Sequence, residues 1–92
     1  MNLKQKVKFE ETVFTQEIDE EMVLLDMNSE NYFGLDEVGT SIWKALQHTS
    51  VLSEVLDILL EEYDVSRDVL LSDLEVFISE LEKNTLVTLE AL

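Results

Sequence analysis

Apolar and polar positions alternate along the first third of the chain and recur every three or four residues along the rest, a pattern of strands followed by helices. Val7 to Ile18 (VKFEETVFTQEI) is rich in Val, Phe and Thr with partial alternation, and predicts a strand. Asp19 and Glu20 predict a polar turn, and Glu21 to Met27 a second strand. On that strand Val23, Leu25 and Met27 share one face, and Met22, Leu24 and Asp26 the other. The charge of Asp26 argues for solvent on its own face, so Val23, Leu25 and Met27 are expected in the core. Asn28 to Asn31 has turn chemistry. Tyr32 to Leu35 predicts a short third strand with Phe33 and Leu35 inward and Tyr32 outward.

The period then changes. Asp36 is an N-cap residue for a first helix from Glu37 to about Gln47, on which Val38, Ile42, Ala45 and Leu46 form a stripe with Trp43 beside it as a core anchor. Thr49 or Ser50 caps a second helix reaching about Tyr63, with Leu52, Val55, Leu56, Leu59 and Leu60 on its apolar face. Ser66 caps a third helix of roughly 17 residues, which buries Leu70, Leu71, Leu74, Phe77, Ile78 and Leu81. Leu86 to Leu89 is either a terminal strand or a docking tail. This order gives an α+β class with winged-helix-like architecture: a three-stranded antiparallel sheet followed by a three-helix bundle, the helices covering one face of the sheet. Ninety-two residues allow one domain, 1–92, with residues 1–5 expected to fray.

Charge narrows the partners. The formal net charge is −15, from 21 acids and six basic residues, and half of the latter are Lys4, Lys6 and Lys8. A duplex-binding surface needs clustered Lys and Arg. This chain would repel nucleic acid and anionic membrane and attract a basic or neutral partner, although acids also keep a small domain soluble. A winged-helix DNA regulator fits the element order, but the third helix sets Arg67 and Lys83 against Asp68, Asp73, Glu75, Glu80 and Glu82. An acidic inhibitor that mimics nucleic acid is a further alternative. No cysteine is present, so disulfides and thiolate metal sites are excluded and a reducing, cytoplasmic setting is expected. No apolar run reaches the ~20 residues needed to span a bilayer, and Met1 to Lys8 does not resemble a signal peptide.

Candidate chemistry is thin. His48, the only histidine, falls at a helix end where an exposed imidazole is ordinary, and no nucleophile-elbow glycine motif accompanies it. Asp26, Asn28, Glu30, Tyr32, Gly34 and Glu37 occupy positions 1, 3, 5, 7, 9 and 12 of an EF-hand-like loop. Position 6, however, is Asn31 rather than glycine, and the entering MVLL segment reads as strand, so a hairpin turn is the better account. Glu61, Glu62 and Asp64 read as a solvated acidic helix end. No metal, no cofactor and no enzymatic activity is expected. The third helix leaves Val69, Asp73, Val76 and Glu80 off its buried face. In a meander the third strand has a free edge, where a peptide could add by β-augmentation; equally, that edge is too short to recruit one.

Met22 to Leu46 carries a family likeness. The VLLD run of Val23 to Asp26, the Y-F-x-L-D-x-x-G-x-x-I-W run of Tyr32 to Trp43, and the spaced Y-D-V-S and D-L-x-x-F-I-x-x-L run within Leu59 to Leu81 resemble the PqqD-like family. These are small domains also called RiPP recognition elements, and the likeness covers roughly residues 13–88.

That resemblance implies non-catalytic binding of the leader peptide of a ribosomally made precursor. The leader would pair with the backbone of Asn31, Tyr32, Phe33 and Gly34. Leu24, Asp26, Tyr32, Asp73, Val76, Phe77 and Glu80 would be groove side chains, Phe77 as its floor and Asp73 and Glu80 gripping a Lys or Arg. The partner enzyme would be a separate protein: a lasso-peptide leader protease, which the aromatic third strand and the Ile42-Trp43 pair favour, or the radical-SAM enzyme of pyrroloquinoline quinone assembly.

Overall fold

The computed structural model describes residues 2–19 and 21–92; the expected fraying of Met1 and the Glu20 half of the predicted turn lie outside them. The stretch expected as one strand from Val7 to Ile18 is two. Strand β1, Gln5–Phe9, and strand β2, Val13–Ile18, are parted at Glu10-Glu11-Thr12. Then come β3, Glu21–Asp26, β4, Asn31–Leu35, α1, Glu37–His48, α2, Leu52–Glu62, α3, Arg67–Lys83, and β5, Val87–Ala91. The segment from Leu86 to Leu89 is thus mostly strand.

The strands form two antiparallel sheets among the described residues, one of order β2-β3-β4 and one pairing β1 with β5. Composition could reveal strand propensity in Val7 to Ile18 but not partners. The N–H of Val7 donates to the Ser50 carbonyl at 2.8 Å and that of Glu10 to the Leu86 carbonyl at 3.0 Å, which ties β1 to the α1–α2 connection and to β5. Residues 2–5 carry turn bonds, with the Gln5 N–H on the Asn2 carbonyl at 3.0 Å.

The core face of β3 is the reverse of the expected one. Met22 and Leu24 are buried, Leu24 completely at 0% exposure; Val23 and Leu25 are half-buried, and Met27 is 55% exposed. Asp26, whose charge suggested solvent, is itself only 5% exposed. The reason is hydrogen bonding. Its Oδ1 accepts from the Thr12 hydroxyl at 3.0 Å and the Asn28 N–H at 3.1 Å, and its Oδ2 from the Ser29 hydroxyl at 2.9 Å. A carboxylate with its lone pairs occupied can be buried without an orphaned charge. The bond from Ser29 chiefly, with those from Asn28 and Thr12, holds the Asp26 carboxyl below the ordinary carboxylate range, against an opposing push from burial.

The helices follow their periodicity. Asp36 caps α1, its Oδ1 accepting from the Gly39 N–H at 2.7 Å, and Ser66 caps α3, accepting from the Val69 N–H at 3.3 Å. The expected cap of α2 at Thr49 or Ser50 is displaced to Val51, which has no side-chain cap bond and bridges to Lys6 instead. Thr49 acts two residues earlier, its hydroxyl accepting from the Val51 N–H at 3.2 Å. Ile42, Trp43, Ala45 and Leu46 of α1 meet Leu52, Val55, Leu56 and Leu59 of α2 and Leu70, Leu74, Ile78 and Leu81 of α3 in one buried cluster. Each large side chain buried there contributes ~1.5–3 kcal/mol. Leu71 and Phe77, expected inside, are half-buried at its margin.

Candidate functional site

Strand β4 ends the three-stranded sheet, so its far edge offers unpaired main-chain donors and acceptors. Register places Phe33 opposite Leu24 and Leu35 opposite Met22, on the core side, while Tyr32 lies opposite Leu25 on the other side and is 71% exposed. Phe14, Leu25 and Tyr32 therefore form one cross-strand row on the sheet's outer face. The tight connection into β4 has Glu30 in the left-handed region at φ 61° and its N–H on the Asp26 carbonyl at 2.7 Å.

Asp36 carries the chain from the end of β4 into α1. Here α1 and α3 part to leave a cavity of about 290 Å³, lined by Asp36, Val38, Gly39 and Ile42 from one side and by Asp73, Val76, Phe77 and Glu80 from the other. Val38, Ile42, Val76 and Phe77 give it apolar walls, and Asp36, Asp73 and Glu80 add three carboxylates to the lining. None of the ion pairs among the described residues involves Asp73 or Glu80; these pairs join Lys6 and Lys8 to Glu90, at 3.7 and 3.9 Å, and Lys44 to Glu17, at 4.0 Å. A larger hollow of about 590 Å³ runs along the opposite flank of α3, between Glu75, Ser79 and Glu82 and the β1–β5 sheet at Gln5 and Leu89. It is more polar, and Val76 and Glu80 form the ridge between the two.

Of the site residues expected from sequence, Asp73, Val76, Phe77 and Glu80 come together in this cavity. Asn31, Tyr32, Phe33 and Gly34 form the strand edge and lie outside its lining. Leu24 and Asp26, expected as groove side chains, lie on the buried face of β3, at 0% and 5% exposure. Sequence reasoning missed Asp36, Val38, Gly39 and Ile42 as lining. Asp36 was legible as a cap, and Val38 and Ile42 as a helical stripe, but the parting of α1 from α3 that leaves a cavity beside them has no local signature. His48 ends α1, exposed, remote from this cavity. The would-be EF-hand segment is a strand, a hairpin turn and a strand, with Asp26 bonded inward. Among the described residues no three His, Cys, Asp or Glu side chains stand close enough together to hold a metal ion.

The family model for coenzyme PQQ synthesis protein D (PqqD) matches residues 21–87. The chain belongs to the PqqD family. Two solved structures share its fold. One, described as "TbiB1 in Complex with the TbiA(beta) Leader Peptide", is 36% identical, with a TM-score of 0.80 over 87% of this chain and 93% of that one. The other, "Lasso peptide synthetase B1 complexed with the leader peptide", is 24% identical, with a TM-score of 0.80 over 90% and 98% of the two chains. No curated protein matches the chain. Among the described residues of this PqqD-family member no helix is long and apolar enough to cross a membrane.

Proposed function

We propose that this PqqD-family chain binds the leader peptide of a ribosomally made precursor without acting on it chemically. The observation that carries the reading is the 36% identity, spread over 87% of the chain, to a protein solved with a leader peptide. The leader adds as a strand to the free edge of β4, along the backbone of Asn31 to Gly34, and main-chain hydrogen bonds supply affinity. Its side chains on one flank reach Val76 and Phe77, and a Lys or Arg of the leader meets Asp73 and Glu80, which no cation of the described chain engages.

The protein is then an adaptor that raises the local concentration of precursor beside a separate maturation enzyme. It works as one winged-helix-like domain in the cytoplasm, with no metal or cofactor. The enzyme is a lasso-peptide leader protease, in keeping with the lasso peptide synthetase that shares this fold. Because the matching family model is itself described by PQQ synthesis, a radical-SAM enzyme of pyrroloquinoline quinone assembly is the second reading. The surplus of acids on α3 weighs against a DNA regulator, and an acidic inhibitor would not need an open strand edge.

Fluorescence anisotropy with the leader segment of the precursor encoded beside this gene tests the reading. Saturable micromolar or tighter binding is expected. A folded sample that binds none of it would contradict leader recognition.

A further inference from the structure

Gly39 has no backbone reason to be glycine. It lies inside α1 with an ordinary negative φ, where alanine is the better helix former. The reason is steric. A β-carbon placed on Gly39 would stand 3.1 Å from Cε1 and 3.5 Å from Cδ1 of Phe77, and 3.1 Å from Oδ1 of Asp36. The Phe77 ring is therefore drawn in against the backbone of α1 as far as contact allows, and its other side borders the cavity between α1 and α3. That cavity, about 290 Å³, sits at the lower bound of ~300–1,000 Å³ for small-molecule sites, so it suits one or two side chains rather than a cofactor.

We infer that Gly39 sets peptide specificity through Phe77: by letting the ring seat against α1, it keeps the slot walled by Val38, Ile42, Val76 and Phe77 open for a bulky apolar side chain of the added strand. The inference rests on the peptide-binding function proposed above. A methyl group at position 39 forces a neighbour to give way by a few tenths of an ångström. Asp36 is tethered, since its Oδ1 caps the same residue's N–H at 2.7 Å. Phe77 is only half-buried and has open space on its cavity side, so the ring moves there and the slot narrows. Gly39 is thus a positioning residue, and what it changes is the size of side chain accepted rather than the main-chain pairing along β4.

The test uses a displayed library of random linear dodecapeptides, selected in parallel on the wild type, Gly39→Ala, and the double variant Gly39→Ala with Phe77→Leu. The wild type should enrich Leu, Phe, Tyr or Trp at one fixed position. Gly39→Ala should shift that position toward Ala, Ser or Val, and removing the ring in the double variant should restore the large residue. For the best wild-type peptide and its alanine-substituted version, the affinity ratio should fall about tenfold in Gly39→Ala. An unchanged ratio and unchanged enrichment overturn the role of Gly39 while leaving peptide binding standing. If the wild type enriches no peptide, the proposed function fails and this inference with it. Should Gly39→Ala fail to fold, Phe77→Leu alone decides: a shift toward larger residues supports the inference, and no shift overturns it.

Discussion

The ring of Phe9 packs on the indole of Trp43 with centroids 4.7 Å apart and planes tilted by 51°. This contact ties the β1–β5 sheet to α1, because Phe9 pairs with Val87 across that sheet and Trp43 belongs to the buried helical cluster. Tilted aromatic pairs of this kind add to the plain burial of area. Trp43→Ala should therefore cost ~3–5 kcal/mol of unfolding free energy by chemical denaturation. A loss below ~1 kcal/mol, the range of an exposed site, would show that the indole is not a core anchor.

Asp26 makes stability depend on pH in a defined direction. Its carboxyl is held below the 3.8 of an unperturbed aspartate, so the ionised form is favoured more in the folded state than in the unfolded chain. The stabilisation from this group is complete above the unfolded value and is lost as pH falls through the lower folded value. Asp26→Asn should be less stable than the wild type at neutral pH, with the gap closing as pH drops below about 3.8. Paired denaturation curves at neutral and strongly acidic pH measure this; a gap that holds constant would show that the hydrogen bonds from Ser29, Asn28 and Thr12 do not favour the charged form.

Val76 is 62% exposed on the ridge of α3, a position where an apolar residue has no folding role. Val76→Glu should leave the thermal midpoint near that of the wild type and weaken leader binding by ~1–3 kcal/mol, the range of a desolvated contact at the centre of an interface. Equal affinity in titration calorimetry would remove Val76 from the site.

Asp73 and Glu80 are exposed, so each should contribute modestly, ~0.2–1 kcal/mol, to holding a basic leader residue. Asp73→Asn with Glu80→Gln should weaken binding and flatten its dependence on salt. A salt dependence identical to that of the wild type would place the leader's basic residue elsewhere.

What the sequence makes legible is local. The N-caps Asp36 and Ser66, the stripes of the three helices and the outward Tyr32 all follow from short-range pattern. Three features turn on pairing and bonding partners that short-range pattern does not name. The break at Glu10–Thr12 exists because β1 pairs with β5, some eighty residues on. The inversion of β3 exists because Thr12, Asn28 and Ser29 all bond to Asp26, which turns a residue that resembles a surface marker into an inner one. The cavity lining at Val38, Gly39 and Ile42 exists because α3 lies across α1 at Phe77. In each case the partner, not the residue type alone, decides the residue's place.

Hydrogen–deuterium exchange of the backbone amides, with and without bound leader peptide, tests strand addition most directly. Bound peptide should slow exchange at alternate amides of Asn31 to Leu35, those on the free edge of β4, with little change in β1 and β5. Binding that leaves the β4 amides exchanging at their free rates would contradict strand addition at this edge.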